Sequence, residues 1–297
     1  MIKTFFSSLR IIFYLFILVL VYVFYLSRDL PSLERLETFD PAMLSTLYDR
    51  NGEVIGEFYI QKRVFVDIED MPNHLKNAAI ASEDKRFYSH WGVDLQSFFR
   101  AVVVNVSSMS FRQGFSTLSQ QLARNLYKEV GFKDSITRKL KEMITAIQIE
   151  RTYTKDEILE MYLNTVHFGH GTYGAESAAK RFFNKNASDL TIGESAMLIG
   201  LLPSPANYSP LRNLNKAIGR RSIVLKLMYN QDFISYQEYM EHNSIVPDNI
   251  YYEIPKGKAP YFAEHVRRIL EQQDEQLGIN IYQDGLKIYT TLDYRLQ

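Results

Sequence analysis

One short segment of the chain contains an unusual density of side chains that could take part in catalysis. Residues 80–92 include the adjacent carboxylates Glu83 and Asp84, two cations, a histidine and three aromatic side chains. In a helix, Glu83, Phe87 and His90 would share one face, because they lie four and three residues apart. A carboxylate in such a setting can accept or donate a proton during a reaction. The same composition also fits a solvated charged turn, so this segment alone leaves both interpretations open.

Two further polar clusters lie downstream. Residues 114–125 are dense in hydroxyl and amide groups, which suit sugar hydroxyls, N-acetyl groups and phosphate oxygens, and which equally suit a capped helix start. In residues 138–142, Arg138 and Glu142 are four residues apart with Lys139 between them. A carboxylate among cations can help to hold a diphosphate, directly or through a divalent metal, but it is also common as a surface ion pair.

Helices are expected to position these clusters. The residue pattern from about residue 73 to residue 230 is typical of helices, and Asn73 is a candidate cap for a helix through Ala81. Helical spacing also covers residues 116–126 and 136–151. The three clusters therefore lie on or beside predicted helices.

Local signals predict the remaining elements. Residues 154–157 and 191–194 fit capping boxes, in which a threonine side chain and a glutamate three residues later satisfy each other's backbone groups at a helix start. Asn51-Gly52 between apolar runs predicts a β-hairpin, and Ile281 to Asp293 predicts a strand at the end of the chain.

The overall composition narrows the class of protein. Its 297 residues can form one large domain or two smaller ones. Lysine plus arginine equals aspartate plus glutamate at 34 each, so nothing indicates a nucleic-acid-binding protein. The chain has no cysteine, which excludes disulfides, thiol catalysis and cysteine-ligated metals.

An uncharged apolar run at residues 11–26 predicts a membrane anchor. It lies between Arg10 and Arg28 and would span about 24 Å as a helix, slightly less than the hydrocarbon core of a bilayer. The following residues offer no signal-peptide cleavage site, so we expect the anchor to be retained. Lys3 and Arg10 favour a cytoplasmic N-terminus and an exported body.

Five motifs in order along residues 80 to 225 resemble one enzyme family: the glycosyltransferase domain of class A penicillin-binding proteins and of monofunctional peptidoglycan glycosyltransferases, family 51. Their matching residues are Glu83, Asp84, Phe87, His90 and Gly92; Gly114, Ser116, Thr117, Gln120 and Gln121; Arg138, Lys139 and Glu142; Ile158 to Asn164; and Arg220, Val224 and Leu225. Two positions depart from the family pattern. Arg124-Asn125 stands where Lys-Asn is usual, and Asp134 stands where a basic residue is common, for which Lys128 or Lys133 could substitute.

The resemblance implies polymerisation of lipid II into a β-1,4 glycan strand with inversion and release of polyprenyl diphosphate. It implies Glu83 as the general base, with Glu142 orienting the cations at the diphosphate or holding Mg²⁺ or Mn²⁺, although no cofactor is obligatory. The implied substrate-binding residues are Asp84, Phe87, His90, Ser116, Thr117, Gln120, Gln121, Arg124, Asn125, Arg138, Lys139, Asn164 and Arg220. Residues 98–111 resemble the family's partly membrane-embedded segment, but the same apolar pattern also fits a buried core helix.

The resulting expectation is a mainly α, lysozyme-like glycosyltransferase domain at residues 65–235, in the inner membrane with its catalytic side in the periplasm. The other predicted segments are a cytoplasmic N-terminus at 1–10, a transmembrane helix at 11–28, a connector with a small β-hairpin at 29–64, and a linker with a strand at 236–297. This linker resembles the one that precedes a transpeptidase domain, whose motifs are absent from this chain. The expected partners are lipid II, the glycan strand, the bilayer and other wall-synthesis proteins; the rival interpretations are a lytic transglycosylase or lysozyme-type hydrolase and a non-catalytic scaffold.

Overall fold

A computed structural model describes most of the chain. The described residues are 13–14, 17–18, 21–22, 24–28, 30, 33, 45–58, 65–108, 116–126, 136–245, 247, 250–251, 258–279, 281 and 284–296. Those between 13 and 27 are helical. None of the helices in these ranges combines the length and the apolar character needed to span a bilayer. Seven of the eighteen residues of the predicted anchor at 11–28 lie outside the described residues, and the anchor stays a prediction.

The part of the chain between residues 65 and 245 is mainly helical, as predicted. Its helices are α1 (Asn73–Glu83), α2 (Leu95–Ser108), α3 (Leu118–Leu126), α4 (Ile136–Thr152), α5 (Lys155–Thr165), α6 (Ala175–Phe183), α7 (Ile192–Leu201), α8 (Pro205–Tyr208), α9 (Leu214–Tyr229) and α10 (Tyr236–Ser244). α7 is buried along nearly its whole length and packs against α1 and α9. α3 packs against α4 and α5, so the segments that carry the polar clusters lie side by side.

Helix starts that depend on local side chains agree with the sequence. Thr154 and Thr191 each accept from the backbone N–H three residues later, and Glu157 and Glu194 bond back to the backbone of the cap, which confirms both capping boxes. The predicted cap Asn73 is wrong, because α1 begins at Asn73 itself, directly after Pro72. α1 also continues two residues past Ala81 to Glu83.

The helical interpretation of residues 80–92 is wrong in its second half. α1 ends at Glu83, and Asp84 adopts φ −156°, outside the helical region. A single 3₁₀ turn follows at Phe87–Ser89. Glu83, Phe87 and His90 therefore do not share a helix face, and the chain between Asp84 and Gly92 forms a loop, which we call the motif loop.

A small β-sheet lies beside the helical part. Its strands β1 (Ser45–Tyr48) and β2 (Val54–Phe58) form the predicted hairpin, with Ser45 opposite Phe58. Among the described residues of the predicted terminal strand, β5 (Lys287–Tyr289) forms, and it pairs in parallel with β1, so the strand order is β2-β1-β5. A short second hairpin, β3 (His167–Gly169) and β4 (Thr172–Tyr173), lies between α5 and α6.

The sheet has its own hydrophobic core. A further helix, α11 (Pro260–Leu277), packs on β2, and Leu47, Ile55 and Ala263 are among the buried side chains between them. The two backbones approach so closely that a Cβ on Gly56 would lie 2.9 Å from the Ala263 Cβ. The hairpin and the C-terminal segment, which the sequence placed in separate units, therefore form one structural unit.

Candidate active site

Glu83, the last residue of α1, is held by a neutral amide. Gln121 Nε2 on α3 donates to Glu83 Oε2 at 3.0 Å. The buried Tyr162 hydroxyl on α5 donates to Gln121 Oε1 at 3.2 Å, which fixes the amide so that its N–H group points at the carboxylate. Three helices therefore define the position of one carboxylate.

The surroundings of Glu83 favour its protonated form. Burial raises the pKa of the Glu83 carboxyl above its ordinary value, while the hydrogen bonds from Gln121 and Ser82 and the positive charge of Arg220 oppose that rise. The neighbouring charge of Asp84 adds to it. The side chain nevertheless keeps partial exposure to solvent. A desolvated, accessible carboxylate with a raised pKa is suited to take a proton from a sugar hydroxyl.

Asp84 ties the motif loop to the start of α3. Its Oδ2 accepts from the Leu118 backbone N–H at 3.0 Å and lies 2.8 Å from His90 Nε2. Thr117 caps α3, since its Oγ1 accepts from the Gln120 N–H at 3.1 Å, and the same hydroxyl donates to the Gly92 carbonyl at 2.7 Å. The loop and the helix that holds the carboxylate are thereby fixed to each other.

A second carboxylate, Glu142 on α4, is surrounded by three cations and is 0% exposed. Arg124 Nε donates to its Oε1 at 3.2 Å, Lys139 Nζ donates to its Oε2 at 3.2 Å, and Arg138 Nε lies 3.6 Å from Oε1. Lys139 also donates to Ser116 Oγ at 2.8 Å. Burial lowers the pKa of Lys139, and Glu142 opposes this.

The Glu142 site does not fit a divalent metal. Both of its oxygens already face cationic side chains, so a metal ion there would meet three positive charges at close range. Within the described part of the chain, no group of three or more His, Asp or Glu residues is arranged to hold a metal. The arrangement is instead a cationic surface that Glu142 organises.

α3 joins the two halves of the site. Gln121 contacts Glu83, and Arg124, about one turn further along the same helix, contacts Glu142. A desolvated carboxylate and a separate cation cluster are thus set side by side on a helical domain. That combination suits glycosyl transfer from a donor with an anionic leaving group.

Several residues predicted to bind substrate have other positions. Phe87 is 0% exposed and lies in the hydrophobic core, so the predicted substrate contact is wrong. Asn164 is 2% exposed and uses its side-chain amide to pair with the N–H and carbonyl of Val66 at 3.0 and 2.9 Å, so it anchors the backbone before α1. His90 and Thr117 are buried in the contacts between the loop and α3.

Other predicted residues lie at the site. Ser116, Gln120 and Arg124 surround Lys139 and Glu142. The positive charge of Arg220, on α9, lowers the pKa of Glu83. The side chain of Asn125 lies outside the described part, as do Lys128, Lys133 and Asp134.

The sequence missed one contributor, Tyr162. It stands inside the fourth motif, but a tyrosine in a buried helical position usually indicates only packing. Its role depends on a hydrogen bond to Gln121, 41 residues away along the chain, which no local pattern reveals.

Comparison with known proteins identifies the family of this chain. The family described as Transglycosylase matches residues 51–229. The chain is similar to penicillin-binding protein 1A of Neisseria gonorrhoeae, with 42% identity over 267 residues, covering 89% of this chain and 32% of that protein. It is also similar to penicillin-binding protein 1A of Aquifex aeolicus, with 36% identity over 289 residues, covering 97% of this chain and 39% of that protein.

Among solved structures, penicillin-binding protein 1A from Haemophilus influenzae aligns with 87% of this chain and 28% of its own, at 23% identity and a TM-score of 0.43. The chain spans about a third of the length of the curated relatives. The chain belongs to the Transglycosylase family. The family match and the names of the relatives support peptidoglycan glycosyltransfer in cell-wall synthesis as the activity of this domain.

Proposed function

We propose that the chain polymerises lipid II into β-1,4 glycan strands, with inversion at the anomeric carbon and release of polyprenyl diphosphate. One observation carries the proposal: α3 contacts the desolvated carboxylate Glu83 through Gln121 and the cation cluster at Glu142 through Arg124. Base and leaving-group site therefore belong to one continuous site. A hydrolase acting on a neutral glycan has no need for three cations at its leaving group.

Each half of the site has a separate role in the reaction. The acceptor's 4-hydroxyl attacks the anomeric carbon of the donor while Glu83 takes the hydroxyl proton, because a neutral hydroxyl is a poor nucleophile. The bond to the diphosphate breaks, and the diphosphate leaves with the electron pair. Arg124, Arg138 and Lys139 stabilise the charge that develops on it. Glu142 acts by holding these cations, since its own carboxylate is fully buried.

The exposed side chains of α2 support a location of the catalytic domain at the surface of a bilayer. Leu95, Phe99 and Val103 are exposed at spacings of four residues, so they form one apolar stripe, and Trp91 is exposed just before the helix. A buried core helix does not account for this stripe. We propose that it lies against the membrane that holds the lipid tail of the substrate, on the periplasmic side of an inner membrane crossed once by residues 11–28.

The test is incubation of the protein with fluorescent lipid II and, separately, with purified glycan strands. Polymer from lipid II supports the proposal. Fragments from the glycan strands with no polymer would identify a hydrolase, and no product in either reaction would identify a scaffold.

Glu83→Gln tests the assignment of the base. We expect its polymerisation rate to fall about 100-fold or more, because a general base contributes at least that much. Glu241→Gln, at an exposed position on α10, is the matched control and should keep the wild-type rate. Near-wild-type turnover of Glu83→Gln would remove Glu83 from this role.

The same variant should remain folded. The pKa of Glu83 is raised in the folded state, so ionisation at neutral pH costs stability that protonation at low pH restores. Glu83→Gln should therefore melt above the wild type at pH 7.5, and the difference should shrink as the pH falls toward 4. A lower melting temperature at pH 7.5 would show that lost activity reflects a damaged fold.

A further inference from the structure

Glu150 and Lys155 form a shielded ion pair behind the motif loop. Lys155 Nζ lies 2.8 and 2.7 Å from the two carboxylate oxygens of Glu150. The side chain of Glu150 is 6% exposed and that of Lys155 is 22% exposed, so solvent screens the pair weakly. Neither residue belongs to the cation cluster or to the contacts of Glu83.

The pair connects four parts of the site. Lys155, the first residue of α5, donates to the His90 carbonyl at 2.8 Å and lies over the Phe87 ring at 4.6 Å, so it holds the motif loop from one side. Glu150, on α4, accepts from Ser119 Oγ at 2.5 Å in the first turn of α3. The pair therefore joins the motif loop to α3, α4 and α5.

The hydrogen bonds of His90 define what the pair contributes. His90 Nδ1 accepts from the Gly92 N–H at 3.1 Å, which assigns the ring proton to Nε2 and makes Nε2 the donor to Asp84. Glu150 Oε1 lies 3.7 Å from Nδ1, too far for a hydrogen bond. Glu150 therefore does not fix the imidazole ring of His90 through a hydrogen bond. Its partners are Lys155 and Ser119.

Two independent links consequently act on the same helical turn. Asp84 binds the Leu118 N–H, and Glu150 binds the Ser119 hydroxyl. Gln121 follows two residues later and donates to Glu83. A small rotation or shift of this turn would move the Gln121 amide away from the carboxylate, and misplacement by about 1 Å can cost about 100-fold in rate.

We infer that Glu150 and Lys155 are positioning residues for glycosyl transfer, which hold the first turn of α3 so that Gln121 meets Glu83. The inference takes its reaction from the proposed function, but the geometry that it describes is independent of turnover. The pair touches no reacting atom and acts through Ser119, the motif loop and Gln121.

The test compares two lysines in matched ion pairs. Lys155→Met removes the charge and keeps an unbranched side chain. Lys185→Met is the control, because Lys185 Nζ lies 2.8 Å from Glu194, with side chains 35% and 8% exposed, away from the site. We expect Lys155→Met to lower kcat for lipid II about tenfold or more, with KM within about twofold of the wild type. Lys185→Met should keep the wild-type kcat even if its melting temperature falls as much.

The conservative variant Lys155→Arg tests whether a second cation at this position restores kcat. Its guanidinium keeps the charge, can still reach the His90 carbonyl and Glu150, and can stack on Phe87, so most of kcat should return.

If Lys155→Met does not fold, Ser119→Ala decides the question by removing only the hydroxyl that links Glu150 to α3. Its kcat should fall about threefold or more without a change in KM. Unchanged kcat in Ser119→Ala, or equal kcat in the two lysine-to-methionine variants, would overturn the inference.

Amide hydrogen exchange gives a readout without substrate. The Leu118 N–H and residues 118–122 should exchange faster in Lys155→Met than in the wild type, and Lys185→Met should leave them unchanged. A wild-type protein that does not polymerise lipid II would refute the proposed function, while exchange would still test the positioning. Equal exchange in all three proteins would refute the positioning alone.

Discussion

Gln121 controls the Glu83 carboxylate through two hydrogen bonds with opposite roles. It donates to Glu83 through Nε2 and accepts from Tyr162 through Oε1, so the buried hydroxyl determines which end of the amide faces the Glu83 carboxylate. The bond to Gln121 stabilises ionised Glu83 against the burial that raises its pKa. The pKa of Glu83 is therefore a balance between desolvation, which raises it, and the hydrogen bonds from Gln121 and Ser82 together with the charge of Arg220, which lower it.

Gln121→Met should shift the pH dependence of the reaction. Removing the donor lets burial raise the pKa of Glu83 further, so the acid limb of kcat/KM should move to higher pH. Asp84, Arg220 and Tyr162, the other charged or titratable groups facing Glu83, remain in place. The measurement is kcat/KM for lipid II across pH.

The control for this change is Gln237→Met, at an exposed position on α10, which should leave the profile unchanged. A lower kcat/KM for Gln121→Met with an unmoved acid limb would contradict the account of Glu83. It would indicate that Gln121 contacts substrate instead.

Residue types indicated which side chains could react, but not which side chains would support them. Glu83 and Glu142 stood out as carboxylates among cations, but each pattern also fitted a charged turn or a surface ion pair, and only the family resemblance gave them roles. Phe87 and Asn164 were assigned to substrate because they match motifs of the same family, yet one fills the core and the other binds the Val66 backbone. Sequence spacing does not distinguish a side chain that touches substrate from one that supports it.

Among the elements, the contact between the motif loop and α4 leaves no room for a side chain. Gly92 has φ +101°, and a Cβ there would lie 2.7 Å from the Ala146 carbonyl oxygen on α4. The Gly92 carbonyl also accepts from Thr117, which caps α3. The loop can therefore join α3 and α4 only because this position is glycine.

Gly92→Ala should lower both stability and turnover. The strained backbone and the contact with α4 should together cost about 1–3 kcal/mol of unfolding free energy, measured by urea denaturation. Turnover of lipid II should fall because the loop moves relative to Glu83. Gly219→Ala is the matched control: it lies inside α9 with open space around its Cβ, so it should raise stability by about 0.5–1 kcal/mol. Equal effects of the two changes would contradict the tight contact.

Elements defined by near neighbours were predictable, and those defined by distant partners were not. The capping boxes of α5 and α7 involve residues three apart, so both starts could be predicted. The end of α1 at Glu83 depends on Asp84 bonding to Leu118, 34 residues away, and the spacing of residues 80–92 gave no sign of it.

On the scale of the whole molecule, the described chain has two hydrophobic cores, one among the helices and one between the sheet and α11. The second core was not predicted, because pairing of β1 with β5 joins segments such as Ser45 and Leu286 that are 241 residues apart. Charged side chains also connect the two parts. Arg212, just before α9, donates to Glu271 on α11 at 3.0 Å, and Arg267 binds both Glu264 and Glu271.

His170 makes this junction sensitive to acid. It accepts or donates one hydrogen bond with Ser209 at 2.7 Å, and burial lowers its pKa to about 2, assisted by Arg267, Arg181 and Arg212 and opposed by Glu264. The unfolded chain should bind a proton at this residue near pH 6.5, whereas the folded chain should not. Stability from neutral His170 is thus complete above pH 6.5 and is lost as the pH falls toward 2.

His170→Asn should flatten the dependence of stability on pH. Asparagine tolerates the positive φ of 54° at this position and does not titrate. Below about pH 5.5, the wild type should lose about 1.4 kcal/mol per pH unit through this residue, and the variant should lose correspondingly less. Urea denaturation at several pH values measures the difference, with His265→Asn, at an exposed position on α11, as the control. Parallel stability curves for wild type and His170→Asn would mean that the junction admits the proton, and that the three arginines do not exclude it.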